Sequence, residues 1–119
     1  MHLGVAFTMR SPSWGPPTPD LYAAALDMAA WADSLGFETV GLSEHHNTSD
    51  GYLPSPIVLA SAIGARTSRI DIKLSVVLAT LMHPLHLAED LAVADLVSNG
   101  RLRVTLGRGT ARRSSSPSE

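Results

Sequence analysis

Apolar and polar positions fall in blocks that switch between the two-residue period of a strand and the 3.6-residue period of a helix. Residues 3–7 form a short apolar run, read as a first strand. Residues 8–17 carry Pro12, Pro16 and Pro17, which forbid regular structure. A helix then opens with Thr18 as N-cap and Pro19 at its first position, where a missing N–H costs nothing. Leu21, Ala25, Met28, Ala32 and Leu35 recur at helical spacing and are the expected buried stripe. Gly36 ends the helix as a left-handed residue and lets Phe37 fold back on the last turn. The run Thr39-Val40-Gly41-Leu42 follows as a buried strand and passes straight into Ser43-Glu44-His45-His46.

The same alternation repeats twice more. Ser55-Pro56 opens a second helix, apolar on more than one side, with Ile57, Val58, Leu59 and Ile63 beside the small residues Ala60, Ser61, Ala62, Gly64 and Ala65. Such a helix wants two partners; small residues suit either a dimer contact or close packing inside the domain. Residues 70–78 form a third strand, and His83-Pro84 starts a third helix with Leu87, Leu91 and Ala94 on one face. Asp95 lies beside that face and invites a buried or capping partner. Asn99-Gly100 ends the helix, and residues 101–106 alternate into a fourth strand that reaches Gly107-Arg108-Gly109. The order β-α-β-α-β-α-β predicts a parallel sheet of the α/β class. Helix-to-strand links are short, whereas the first two strand-to-helix links are long and polar. That asymmetry marks the carboxyl ends of the strands as the functional face.

Composition narrows the classes. At 119 residues the chain holds one core. Hydrophobic content of 45% with 17% charged residues suits a folded protein. A net charge of −2 gives no basic face for nucleic acid. No apolar run reaches the ~20 residues of a membrane helix, and no signal-peptide pattern opens the chain. The absence of cysteine removes disulfide, thiol and thiolate-metal chemistry. A cytoplasmic protein is expected.

Chemistry is then sought at the strand ends. His45 and His46 are adjacent and point opposite ways on an extended backbone. Only one of them faces a barrel interior easily, and Glu44 can orient an imidazole or hold its proton, making Glu44 with one of the two histidines a candidate catalytic site. A zinc site would have to draw on His45, His83, His86 or Glu44, yet His83 sits at an N-cap, so no metal is expected. Gly107, Arg108 and Gly109 could approach an anion through backbone N–H groups and a guanidinium. No P-loop and no Gly-x-Gly-x-x-Gly follows the first strand.

Taken together, Leu35-Gly36-Phe37-Glu38-Thr39-Val40, Ser43-Glu44-His45-His46, Tyr52-Leu53-Pro54-Ser55-Pro56, Ala65-Arg66-Thr67-Ser68-Arg69-Ile70, His83-Pro84, Leu87-Ala88-Glu89-Asp90 and Ser98-Asn99-Gly100-Arg101-Leu102 into Gly107-Arg108-Gly109 resemble the N-terminal half of the luciferase-like flavin-dependent monooxygenases. The resemblance implies a (β/α)8 TIM barrel that binds reduced FMN at the carboxyl ends of its strands. It implies that His45 serves acid–base steps, that Arg108 holds the flavin phosphate, and that Ser75 and Val76 lie against the ring around a non-proline cis peptide. It further implies a small organic substrate, molecular oxygen, a flavin reductase as the source of reduced flavin, and a homodimer seam along the second helix. A deazaflavin-dependent hydride transferase on the same scaffold and a non-catalytic association fragment are the alternatives.

A (β/α)8 barrel takes ~250 residues. The expected fold is therefore a partial barrel of four parallel strands and three helices over residues 1–109, truncated, with open edges at strands one and four. Residues 110–119 are expected to be a polar disordered tail.

Overall fold

A computed structural model describes residues 1–109 of the chain. Its elements are β1 (Gly4–Phe7), α1 (Thr18–Ser34), β2 (Thr39–Leu42), α2 (Pro56–Arg66), β3 (Asp71–Leu78), a 3-10 turn (Ala79–Leu81), α3 (Pro84–Val97) and β4 (Leu102–Gly107). The expected tail, 110–119, lies outside the described residues.

All three strand pairings are parallel and the spatial order is β1-β2-β3-β4. Register places Val5, Val40, Ile72 and Leu102 in one row, and Phe7, Leu42, Leu74 and Val104 in another. These rows pack with Ala25, Ala29, Leu59, Ala60, Ile63, Leu87 and Ala94 of the helices to form the core. The alternate row, Ala6, Gly41, Lys73 and Arg103, belongs to the opposite face, where Ala6, Lys73 and Arg103 are exposed. A doubly wound sheet reverses its strand order and covers both faces. Sequential order with the core on a single face is instead the first half of a (β/α)8 barrel. β1 and β4 are the outer strands, as expected.

Two charged side chains tie this layer together at the amino ends of the strands. Asp33, 6% exposed at the end of α1, accepts backbone N–H bonds from Ser68 (2.9 Å), Arg69 (3.0 Å) and Ile70 (2.7 Å), and one from the Ser68 hydroxyl (3.2 Å). Burial, the largest single influence, would raise its pKa. The Ser68, Ile70 and Arg69 amides and the Ser68 hydroxyl together outweigh burial, so the carboxyl titrates below its usual value of 3.8. Arg101 does the converse for carbonyls. It donates to Gly64, Thr67, Ile70 and Ser98 oxygens at 2.6–2.9 Å and to the Thr67 hydroxyl at 2.7 Å, closing the carboxyl end of α2.

The small residues of α2 serve packing within the domain at Gly64. A Cβ there would sit 2.9 Å from the Ser98 Cβ and 3.1 Å from its Cα, so α2 meets the end of α3 at backbone range. Gly64→Ala is therefore expected to destabilise by ~1–2 kcal/mol despite alanine's better helix propensity, because overpacking outweighs the ~1 kcal/mol propensity gain. Urea unfolding measures it.

Several local expectations need correction. α1 begins at Thr18, not after it: the Pro17 carbonyl accepts from the Asp20 and Leu21 amides, and the Thr18 hydroxyl donates to Ser11 Oγ rather than capping. The buried face of α1 is Ala25, Ala29, Ala32 and Asp33, while Met28 and Leu35 are 50% and 56% exposed. The alanines let the helix sit close over the sheet, which turns the bulkier flank outward. Asp95 is exposed, and the buried helix carboxylate is Asp33. β4 starts at Leu102, since Arg101 is engaged with α2. Ser55 precedes α2 as expected but makes no side-chain cap bond, whereas His83 Nδ1 accepts from the Leu85 amide at 3.2 Å.

Candidate active site at the carboxyl rim

β2 hands its chain to Ser43-Glu44-His45-His46 at the rim of the sheet. Glu44 and His46 are two residues apart and share a side, as period-two geometry requires. The Glu44 side chain is buried: its Oε1 lies 2.5 Å from His46 Nε2, and its Oε2 accepts the Leu78 amide at 2.9 Å. The imidazole that Glu44 holds is thus His46, not the candidate catalytic His45. His45 points elsewhere, with its ring T-shaped against Tyr52, centroids 4.2 Å apart and planes at 72°.

The loop that carries these residues is stitched to its neighbour. The His45 amide donates to the Leu53 carbonyl (3.0 Å), the Leu53 amide to the Thr8 carbonyl (3.1 Å), and the Ser11 amide to the Asp50 carbonyl (2.7 Å). Leu53 is fully buried and anchors the loop in the core. Backbone hydrogen bonds thus fix where His45 begins.

At the end of β3, the Ser75–Val76 peptide is cis. The ladder slips there: Ser75 pairs with Thr105 but Val77 with Leu106, leaving Val76 as the extra residue of a bulge. Gly107 of β4 makes room for it, since a Cβ at 107 would meet Val76 Cγ2 at 3.0 Å. The Thr80 hydroxyl donates to the Arg108 carbonyl at 2.8 Å and ties the turn after β3 to the end of β4.

These elements enclose a cleft of about 920 Å³ lined by Glu44, His45, His46, Ser75, Val76, Arg108 and Gly109, with Leu78, Thr80 and Leu81. Six of the seven residues singled out for catalysis or cofactor binding therefore share one cavity. The seventh, Gly107, is not among its lining residues and acts through the space it leaves for Val76. His83 and His86 lie outside the cleft, their rings 5.9 Å apart at the start of α3. Glu44 and His46 also line a second cavity of about 450 Å³ with Pro56, Ile57, Val58 and Val93, so this pair is the wall between the two.

Over residues 1–114 the sequence matches the profile of the luciferase-like monooxygenases. The chain belongs to that family. Two relatives are protein y4wF of Sinorhizobium fredii, 37% identical over 89 residues, and the oxygenase component of the flavin-dependent trigonelline monooxygenase of Acinetobacter baylyi, 29% identical over 89 residues. Each alignment covers 75% of this chain, and 26% and 25% of the relative respectively. Among solved structures, monooxygenase RslO1 from Streptomyces bottropensis superposes with a TM-score of 0.83 at 36% identity, over 92% of this chain and 34% of that one. This luciferase-like chain thus spans about a quarter of those curated relatives and about a third of the solved one.

In this luciferase-like chain, Tyr52 and Thr80 are the residues around the cleft that the sequence does not single out: Tyr52 packs on His45 and Thr80 lines the cleft. Tyr52 carried one signal, an aromatic residue in an otherwise polar loop. Thr80 carried none, because its partner is a backbone carbonyl 28 residues away.

Proposed function

We propose that this chain supplies the flavin-contacting part of a monooxygenase that acts on a small organic substrate with molecular oxygen. Reduced FMN is the cofactor, and a separate flavin reductase provides it. One observation carries the reading: His45, with its imidazole, and Arg108, with its guanidinium, line a single cleft at the carboxyl rim. Turnover is proposed for the complete barrel, and flavin contact for this chain.

The residues present fit such a group. The cleft volume falls within the ~300–1,000 Å³ usual for cofactor sites. Its walls combine apolar Val76, Leu78 and Leu81 with polar Ser75, His45 and Arg108, suited to an apolar ring system with polar edges and a phosphate tail. Bound there, the reduced flavin would supply the electrons that activate oxygen. Arg108 would grip the phosphate through paired N–H donors. Ser75 and Val76 would back the ring. His45 would give or take a proton through its imidazole. Buried Glu44 fixes the Leu78 amide and the His46 ring, and so holds the end of β3 against β2. A homodimer would pair the exposed flank of α2, where Val58 is 71% exposed, with that of a second copy.

Fluorescence titration with FMN and with riboflavin tests the reading. Arg108→Gln is expected to weaken FMN binding about 10–100-fold, the range for losing hydrogen bonds to a charged group. Riboflavin, which has no phosphate, should bind both forms alike. Equal loss for both ligands, or no binding of FMN by the unaltered chain, would contradict it. Saturation by a deazaflavin but not by FMN would transfer the site to hydride-transfer chemistry.

A further inference from the structure

We propose that Tyr52 is the positioning residue for the His45 imidazole, and that Arg10 and Asp50 set Tyr52 in turn. The proposal rests on the proton-transfer role given to His45 above. Among the described residues no side chain hydrogen-bonds the His45 ring, which is exposed on the cleft wall. A general acid–base needs a defined orientation, and ring contact is then the remaining means of providing it.

The contact is built from two sides. The Tyr52 and His45 rings are T-shaped, with centroids 4.2 Å apart, slightly closer than the ~4.5–7 Å usual for aromatic pairs. The Arg10 guanidinium carbon lies 4.8 Å from the Tyr52 ring centroid, at cation–π range. Asp50 fixes both partners: its Oδ2 lies 3.5 Å from Arg10 Nε, and its Oδ1 accepts the Tyr52 amide at 3.3 Å. Thr48 Oγ1 accepts the same amide at 2.9 Å.

Arg10 and His45 sit on different loops, one after β1 and one after β2. The backbone bonds from Ser11 to Asp50 and from Leu53 to Thr8 clamp those loops together, so Arg10–Tyr52–His45 forms a row across the clamp. The Tyr52 hydroxyl has no hydrogen-bond partner among the described residues. The ring rather than the hydroxyl therefore makes the contact, and phenylalanine should replace tyrosine.

NMR of the isotopically labelled chain tests this without cofactor. The His45 ring protons, assigned by their disappearance in His45→Asn, are expected to be displaced from free-histidine positions by the Tyr52 ring current. Tyr52→Phe should keep that displacement and Tyr52→Leu should abolish it, while Arg10→Gln should reduce it. Signals unmoved in Tyr52→Leu, or moved as far by Phe as by Leu, overturn the proposal. Should Tyr52→Leu fail to fold, Arg10→Gln decides, and an unmoved His45 signal there overturns it. In the complete barrel, Tyr52→Leu should lower kcat on the order of tenfold, leave FMN affinity within about twofold, and be rescued by Phe. Full kcat in His45→Asn would refute the role of His45 while the ring shifts still decide the part played by Tyr52.

Discussion

Asp33→Ala should cost about 3–5 kcal/mol, a loss as large as truncating a buried core leucine. The carboxylate receives four hydrogen bonds from residues 68–70, three of them from backbone N–H groups. Removing it strands those donors beneath the end of α1, and each buried unpaired group costs ~1–3 kcal/mol. Asp33→Asn separates charge from shape. Its amide oxygen can accept only part of the set and its NH2 faces donors, so ~2 kcal/mol is expected.

The pH dependence follows from the lowered pKa of Asp33. A carboxyl that ionises more easily when folded contributes fully above its unfolded value near 3.8. Its contribution declines as pH falls from there through the folded value and vanishes below it. Urea midpoints between neutral pH and the acid limb should therefore drop in the unaltered chain. In Asp33→Asn that part of the drop should be missing. Parallel acid limbs in the two proteins would show that the carboxylate carries none of the dependence.

Arg101→Met is the second. Five hydrogen bonds from one guanidinium close the end of α2 and reach the Ile70 and Ser98 carbonyls. Methionine keeps the stem and loses all five, which should cost ~2–4 kcal/mol. Lysine restores the charge but not the planar fork and should recover less than half. Hydrogen exchange should localise the loss to the last turn of α2 and the start of β3. Protection lost evenly across the sheet would argue against a local clamp.

These two side chains also show where the sequence stops being legible. The order of elements could be read because each boundary has a local cause: proline at the start of α2 and α3, and Gly36 at φ +83 after α1. Sheet burial followed from alternation, as in Ile72 and Leu74 against Lys73. The rim location of His45 and Arg108 followed from topology, since parallel strands bring all their carboxyl ends to one side. Asp33 and Arg101, by contrast, act on partners some 35 residues away, and nothing in their own neighbourhoods marks them. Periodicity misplaces the phase of α1 because Met28, Trp31 and Leu35 form an apolar flank as continuous as the alanine face that is buried. Periodicity finds a stripe but cannot choose between two. The Glu44–His46 pairing follows from the alternation of side chains, which puts residues two apart on one side.

Below that rim lies the polar, uncovered face of the sheet, where Arg103 Nε and Asp71 Oδ2 are 3.4 Å apart. In a (β/α)8 barrel this face looks inward. The chain therefore contributes a packed outer layer, an inner wall and a share of the rim, consistent with covering about a third of a solved relative.

The central claim is that the flavin seats at the carboxyl ends of these strands. The most direct measurement is a map of backbone amide shift changes when FMN is titrated into the labelled chain. Changes are predicted at residues 43–46, 75–80 and 107–109, with the amino ends near Asp33 and Arg101 silent. Changes concentrated at those amino ends, or on the outer faces of α2 and α3, would contradict the account.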